Sequence, residues 1–305
     1  MRLNRLDLNL LVALDALLSE RSITRAAERM HLSQPATSGA LARLRDFFDD
    51  ELLVRVGAQM MPTPLGESLQ APVHNILLQI QATVERRLEF NEAESNRNFR
   101  LLMSDYTSTT FMAGIVEQLA NVAPGVCLEF YAPTNNPWEK LEQGEVDFLI
   151  MPEHVLSSSH PTQHLFDEGF ACITWDKNSA INDSISVKQF LDLGHVSVRF
   201  GSQRTLSQDQ VILKEQHGLE PNVEIVASTF GAIPQYLVGT QRIATVYRHL
   251  AETWTKYLPL KMVPTPVDMP TIPWGVQWHK FRDLDPGIQW LRTKIINHAE
   301  QFNGA

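Results

Sequence analysis

Cysteine is scarce in this sequence, and its scarcity limits the covalent and metal chemistry open to the chain. Only two cysteines occur among 305 residues. Cys127 and Cys172 stand far apart, and each lies inside an apolar, strand-like run. This placement favours two buried, reduced thiols over a disulfide or a metal site.

The motifs that mark common catalytic and phosphate-binding sites are also missing. The sequence contains no HExxH, GxSxG, P-loop or GxGxxG pattern. Its histidines are scattered, and the nearest grouping is His154, His160 and His164, in a Ser-containing stretch that we interpret as a loop between two lobes. We therefore expect a protein that is not an enzyme and that needs neither a metal ion nor a cofactor.

The sequence also lacks long apolar runs, and it has no lysine near the amino terminus. No apolar run is long enough to span a bilayer, and Asp7 comes too early for a signal peptide, so we expect a cytoplasmic protein with no membrane partner. The net charge is −9, and nearly all of it lies in residues 91–305. Residues 1–62 are neutral and carry arginine as their only strongly basic residue type. The acidic carboxy-terminal part is therefore no nucleic-acid surface, whereas the amino-terminal part could be one.

Residues 22–48 show the pattern of a helix-turn-helix. Ser22 and Ser33 are candidate N-caps of two short helices, and Pro35 falls in the first turn of the second helix, where proline is tolerated. The apolar positions of the second helix can pack inward, which leaves polar side chains that suit base edges and phosphates: Gln34, Thr37, Ser38 and Arg45. An ordinary helical hairpin with polar caps has the same pattern.

The flanking segments favour the DNA-binding interpretation. Residues 6–18 form an apolar helix that can complete a small helical core, and residues 51–63 read as two short strands around Gly57. Together they predict a winged helix-turn-helix. Arg21, Arg25 and Arg29 recur every four residues along one helical stripe, which can hold a polyanion or form a solvated charged face.

Residues 64–90 read as one long helix with Pro72 near its start. Its apolar side chains recur at spacings of three and four, and this stripe suits pairing with a second copy of the helix, although packing on its own domain is the alternative. The polar residues 91–98 break the pattern and predict a hinge.

From residue 99 onward, short apolar runs alternate with helical patterns. Such alternation predicts parallel sheets covered by helices, with ligands bound beyond the carboxyl ends of the strands. Polar and aromatic residues that follow these strands nominate a cleft for a flat aromatic molecule with a polar substituent. The candidate residues are Ser104, Asp105, Tyr106, Thr107, Phe111, Phe200, Gly201, Ser202, Thr229, Phe230 and Trp274.

The sequence closely resembles LysR-type transcriptional regulators. The resemblance rests on LDLNLLVALDALLSERSITRAAERMHLSQPATSGALARLRDFF near the amino terminus and on MSDYTSTTF, GEVDFLIMPE and VQWHKFRDLDPGIQWLR further on. The later segments resemble the subgroup that includes nodulation activators and activators of aromatic-compound degradation. The resemblance implies base contacts from the start of the second helix and phosphate contacts from nearby arginines. The DNA-binding residues expected are Arg25, Ser33, Gln34, Pro35, Thr37, Ser38, Arg43 and Arg55.

The resemblance also implies the domain organisation. We expect an all-α winged helix-turn-helix domain, a dimerising linker helix, a hinge, and an α/β effector domain like a periplasmic binding protein, with two Rossmann-like subdomains. The expected boundaries are 1–62, 63–90 and 91–97, then 98–165 with 270–305 for subdomain I and 166–269 for subdomain II. The expected partners are double-stranded promoter DNA, a small aromatic inducer, RNA polymerase and further copies of the chain in a homodimer or homotetramer.

The function predicted is that of a DNA-binding transcription activator controlled by an aromatic inducer. Small hydroxyl residues at the expected cleft favour control of an aromatic or chlorinated-aromatic degradation pathway. A flavonoid-responsive activator of nodulation is the alternative. A small-molecule binding protein without DNA function is a third hypothesis, from a different class.

Overall fold

The computed structural model describes residues 7–57, 59–84, 90–200 and 207–302. Two compact units make up the chain: an amino-terminal unit of residues 1–87 with 142–144, and a carboxy-terminal unit of residues 88–141 and 145–305. Within the described ranges, no helix combines the length and the apolar character needed to cross a membrane.

The amino-terminal unit is a three-helix core with a two-stranded wing and a long helix. Its elements are α1 (Leu8–Glu20), α2 (Ile23–Arg29), α3 (Gln34–Phe48), β1 (Leu53–Val56), β2 (Gln59–Pro62) and α4 (Pro64–Val84). The predicted caps form, because the Ser22 side chain accepts a hydrogen bond from the backbone N–H of Arg25 and Ser33 accepts one from that of Ala36. Gly57 turns the β1–β2 hairpin with a φ of +63°, a conformation that glycine adopts without strain.

A buried carboxylate ties three of these helices together. Asp15 on α1 is 6% exposed and accepts from Arg29 on α2 at 2.9 Å. Its other oxygen lies 2.8 Å from Nδ1 of His74 on α4. Because an unpaired buried carboxylate is costly, these contacts fix α2 and α4 against α1.

The apolar stripe of α4 serves two purposes. Val73 and Leu77 pack into the core of the unit, as the alternative interpretation of this helix required. Ile76 and Ile80 are 45% and 36% exposed. The helix was predicted to reach Phe90, but in the described residues it ends at Val84, and Phe90 itself is not helical. Residues 85–89 of that prediction lie outside the described ranges.

The carboxy-terminal unit holds two five-stranded sheets. Sheet one, in the order β4-β3-β5-β12-β6, consists of β3 (Asn98–Met103), β4 (Cys127–Tyr131), β5 (Phe148–Pro152), β6 (Thr162–Glu168) and β12 (Ile272–Trp278). Sheet two, in the order β11-β7-β10-β8-β9, consists of β7 (Phe170–Trp175), β8 (Gly194–Val198), β9 (Asn222–Ala227), β10 (Ile243–Tyr247) and β11 (Leu260–Val263). We call the half that contains sheet one subdomain I and the half that contains sheet two subdomain II.

Helices separate most of these strands. They are α5 (Asp105–Thr110), α6 (Met112–Val122), α7 (Pro137–Glu142), α8 (Val187–Asp192), α9 (Gln208–His217), α10 (Ile233–Leu237), α11 (Arg248–Tyr257) and α12 (Pro286–Phe302). Arg97, just before β3, makes a bidentate pair with Asp285 at 2.6 and 2.8 Å, which holds the start of α12 beside the start of sheet one.

Both sheets are mixed, which corrects the prediction of parallel sheets. In sheet one β12 runs antiparallel to β5 and β6, and in sheet two β7 runs antiparallel to β10 and β11. The predicted subdomain boundary at 165/166 falls inside β6, which continues to Glu168. Only Gly169 separates β6 from β7, so the chain passes directly from one sheet into the other.

Two predictions about cysteine and histidine need correction as well. Cys172 is buried, but Cys127 is exposed because it lies at the start of the edge strand β4; both are free thiols. The predicted interlobe loop with three histidines is in part strand β6, which contains His164. His160 is buried, and the described residues contain no cluster of potential metal ligands.

Gly66 allows α4 to approach the wing. A Cβ atom at this position would lie 2.4 Å from the backbone oxygen of Leu52. We expect Gly66→Ala to destabilise the amino-terminal unit by about 1–3 kcal/mol because the backbone must shift. Gly39→Ala is the matched control, since nothing lies within 4 Å of its Cβ position on α3; it should stabilise the unit by roughly 0.5–1 kcal/mol. Calorimetric unfolding of the full chain measures both, and equal effects would contradict this packing.

Candidate functional site

Helix α3 presents one side of its first turns to solvent. Gln34, Pro35 and Ser38 are exposed, whereas Ala40, Leu41 and Leu44 are buried against α1 and α2. The amide of Gln34 and the hydroxyl of Ser38 can therefore reach a base edge. Ser33 is exposed too, but its hydroxyl oxygen caps the helix.

Thr37 does not belong to this surface, which corrects its assignment as a base-reading residue. Its side chain is fully buried, and its hydroxyl donates to the backbone oxygen of Ser33 at 3.2 Å. The reason is helical geometry, because Thr37 precedes Leu41 and Leu44 by one and two turns on the inward face. Thr37 therefore supports the start of α3.

The arginines divide into exposed and structural groups. Arg43 and Arg55 are exposed, and Nε of Arg55 donates to the Gly57 oxygen in the wing at 3.2 Å. Arg25 is exposed and forms a 3.3 Å ion pair with Glu20. Arg45, predicted to face outward, instead joins α3 to the wing by donating to the backbone oxygens of Glu51 and Leu53. All three arginines expected to contact DNA, Arg25, Arg43 and Arg55, are thus exposed.

The carboxy-terminal unit contains a cavity of about 220 Å³ at the carboxyl ends of strands from both sheets. Its walls combine five aromatic residues with seven aliphatic and seven polar ones, and both subdomains contribute. The aromatic residues are Phe170, Phe200, Phe230, Tyr247 and Trp274, and the polar ones are Ser104, His154, Arg199, Ser207, Gln208, Asp209 and Thr245.

Four of the residues predicted for the inducer cleft line this cavity: Ser104, Phe200, Phe230 and Trp274. Gly201 and Ser202 lie outside the described residues. The other predicted residues of the described chain are elsewhere, for three different reasons.

Phe111 and Tyr106 are core residues. Phe111 is fully buried, with ring centroids 5.1 Å from Phe166 and 5.3 Å from Phe302. Tyr106 is fully buried behind the cavity wall, 4.6 Å from Tyr247 between ring centroids, and its hydroxyl donates to Glu168. Sequence alone could not distinguish these inward rings from cleft rings, because both follow the same strand.

Asp105 and Thr107 make structural contacts instead, and Thr229 lies outside the cavity. The Asp105 carboxylate in subdomain I accepts from the backbone N–H of Gly231 in subdomain II at 2.8 Å. Thr107 is buried, and its backbone N–H and its hydroxyl both contact the Ser104 hydroxyl. Thr229 is exposed before a 3₁₀ turn and does not line the cavity.

Sequence reasoning missed Arg199, Asp209 and Tyr247. Arg199 directly follows β8 and Tyr247 ends β10, so the rule that sites lie beyond strand ends could have identified both. Asp209 lies in the first turn of α9, and no sequence pattern singles it out.

Burial changes the acid–base properties of the cavity. Loss of solvation raises the pKa of Asp209 to about 6, although the Ser207 hydroxyl and the backbone N–H groups of Asp209 and Gln210 oppose the shift. Burial, with the nearby charges of Asp209 and Glu168, also raises the pKa of the Tyr247 hydroxyl. Burial lowers the pKa of His154. At neutral pH the cavity therefore holds a mostly ionised Asp209, a neutral tyrosine and the Arg199 guanidinium.

An exposed helix-turn-helix with a wing, together with a two-lobed unit that contains a cavity lined from both lobes, is the architecture of a ligand-responsive transcription regulator. Two family models match the chain: the bacterial regulatory helix-turn-helix protein of the lysR family at residues 8–67, and the LysR substrate binding domain at residues 92–300. The chain belongs to the LysR family of DNA-binding transcription regulators and lies close to its nodulation subgroup. Membership of this family agrees with the expectation that the chain is not an enzyme. It also excludes the hypothesis of a small-molecule binding protein without DNA function.

Relatives and solved structures agree with this assignment. Nodulation protein D 1 of a Bradyrhizobium species is 41% identical over 305 residues, which cover 100% of this chain and 97% of that protein. Nodulation protein D 1 of Rhizobium meliloti is 41% identical over 303 residues, with 99% and 98% covered. The crystal structure of a probable transcriptional regulator from Pseudomonas aeruginosa is similar, with a TM-score of 0.65, 26% identity, and 97% and 98% covered.

The exposed face of α3 leads to a prediction about sequence discrimination. Gln34→Ala should lower discrimination against a wrong base by about 1–3 kcal/mol and leave non-specific DNA binding nearly intact, because only a base-edge contact is lost. Thr37→Val should leave sequence preference unchanged, since Thr37 is buried. Fluorescence anisotropy with matched and mismatched operator DNA measures both effects. Equal losses on all sequences for Gln34→Ala would refute its role.

Asp209 leads to a prediction about stability. The folded chain holds this proton up to about pH 6, whereas an unfolded aspartate releases it near its ordinary value of 3.8, so stability falls as the pH rises between these values. Asp209→Asn should therefore stabilise the carboxy-terminal unit above pH 6, by up to about 3 kcal/mol, and the advantage should vanish below the ordinary aspartate pKa. Thermal unfolding across this range tests it, and a pH-independent difference would contradict the buried carboxylate.

Proposed function

We propose that this protein is a transcription activator whose effector is a flat aromatic molecule bound in the cavity of the carboxy-terminal unit. The observation that carries the proposal is the composition of the walls. Phe170, Phe200 and Phe230 come from subdomain II or its border, and Trp274 comes from subdomain I. Aromatic rings contributed from both sides of the cavity favour a planar ligand, which can stack on one ring and meet the edges of others.

The effector proposed is a plant-type phenolic molecule such as a flavonoid, and the regulated genes are of the nodulation type. Nodulation regulators that match the chain from end to end support this choice. The preference for a degradation pathway loses its basis, because it relied on several small hydroxyl residues. Of the described residues on which that preference relied, Ser104 is the one that lines the cavity.

We further propose that two or four copies act together on promoter DNA and present RNA polymerase with a changed arrangement when the effector binds. Exposed Ile76 and Ile80 on α4 support pairing through this helix. The effector can shift the assembly only if it binds one arrangement more tightly than the other, so its contacts with both subdomains are essential to the mechanism.

Filling the cavity tests the proposal. Gln208 begins α9 and lines the cavity, so Gln208→Trp should occupy the effector's space. Gln216→Trp is the matched control, because Gln216 is exposed near the other end of the same helix. We expect the first variant to lose the transcriptional response to phenolic compounds in a reporter strain while it retains wild-type operator affinity. The control should respond normally. A normal response in the Gln208 variant would contradict the assignment of the cavity.

DNA binding itself should depend steeply on salt. The exposed guanidinium groups of Arg25, Arg43 and Arg55 release counterions when they contact phosphates. Each arginine replaced by methionine should lower the slope of log affinity against log salt by about 1. Operator binding measured over a series of salt concentrations tests this, and an unchanged slope in all three variants would show that other residues hold the phosphates.

A further inference from the structure

The cavity contains two groups of opposite charge that do not pair with each other. Arg199 follows β8, and its buried Nε has no hydrogen-bond partner. The Asp209 carboxylate is held by the Ser207 hydroxyl and by backbone N–H groups at the start of α9, and Arg199 is not among the groups that shift its pKa. In the described part of the chain, no ion pair joins the two side chains.

This arrangement is costly for the empty protein. A buried guanidinium N–H without an acceptor loses its hydration and gains nothing in return. The buried indole Nε1 of Trp274, in the same cavity lining, has no acceptor either. The cavity is therefore lined by two N–H groups that lack acceptors and by one carboxylate. This pattern is expected when a bound ligand completes the hydrogen bonds.

We propose that Arg199 and Asp209 are the specificity-determining residues of the cavity and recognise an acceptor and a donor on the same aromatic ligand. A carbonyl oxygen of the ligand accepts from Arg199, and a phenolic hydroxyl donates to Asp209. The inference rests on the proposed function, because it specifies the chemistry of the ligand in the same cavity.

Arg199 and Asp209 also determine which ligands bind weakly to the cavity. Asp209 is mostly ionised at neutral pH, since its pKa is raised only to about 6. A ligand carboxylate placed against Asp209 would bring a second negative charge beside it, whereas an uncharged hydroxylated ketone can donate to Asp209 and accept from Arg199. The favoured ligand class is therefore the uncharged hydroxylated aromatic ketone.

Three probes separate the contributions. Chrysin is a flavone with phenolic hydroxyls, flavone has the same ring system without them, and salicylate is an aromatic carboxylate. Binding to the full-length protein is measured by titration calorimetry at neutral pH. We expect chrysin to bind roughly tenfold more tightly than flavone, and salicylate to bind more weakly than both.

Two variants then assign the contacts. Asp209→Ala should reduce the chrysin-to-flavone ratio to about one, because the hydroxyl loses its partner. Arg199→Met keeps the apolar stem and should weaken chrysin and flavone by the same factor, roughly tenfold, since both carry the carbonyl. Asp192→Ala is the matched control for Asp209, because Asp192 is exposed and pairs with Lys188 on the surface of the same subdomain; it should leave every ratio unchanged.

The contrary results distinguish an error in the roles of the two residues from an error in the proposed function. A chrysin-to-flavone ratio that survives Asp209→Ala, or tightest binding by salicylate, would overturn the roles of Asp209 and Arg199 while leaving an aromatic effector in place. Failure of all three probes to bind the wild-type protein would instead overturn the proposed function, and with it this inference.

Discussion

Glu168 is the residue on which the geometry of the carboxy-terminal unit depends. It is fully buried at the end of β6, immediately before the chain crosses from subdomain I into subdomain II. Its carboxylate accepts from the Tyr106 hydroxyl of subdomain I and lies 2.8 Å from Nδ1 of His249 in subdomain II. Because a buried carboxylate that loses a partner is strongly destabilising, both subdomains are held to the same point. This hydrogen bond raises the pKa of His249, which favours the charged imidazolium opposite the carboxylate.

The contacts of Glu168 help to position the aromatic walls of the cavity. The Tyr106 ring lies 4.6 Å from Tyr247 and 5.2 Å from Trp274 between centroids, and both of these residues line the cavity. A ligand that moves either wall therefore acts on a ring whose hydroxyl is bonded to Glu168. Asp15 has a comparable role in the amino-terminal unit, where Arg29 and His74 converge on one buried carboxylate and so set the position of α2 and α4.

Patterns set by neighbours in sequence could be predicted, whereas contacts set by distant segments could not. The caps at Ser22 and Ser33 and the wing around Gly57 follow from local propensity and periodicity. The inward side of Thr37 and the core position of Phe111 depend on which face each helix turns toward its partners. The antiparallel pairings of β6, β7, β11 and β12 could not be predicted, because strand direction is decided by the crossings between the sheets. The Glu168 junction joins residues far apart along the chain, so no spacing indicates it.

The central claim is that one ligand contacts both subdomains at the cavity. Amide hydrogen exchange of the full chain, with and without chrysin, tests it most directly, because peptides from each side can be followed separately. The account predicts that protection rises together in α5 of subdomain I and in β10 of subdomain II, whose residues Tyr106 and Tyr247 are in contact behind and along the cavity wall. Protection confined to one subdomain, or to segments remote from the cavity, would contradict it.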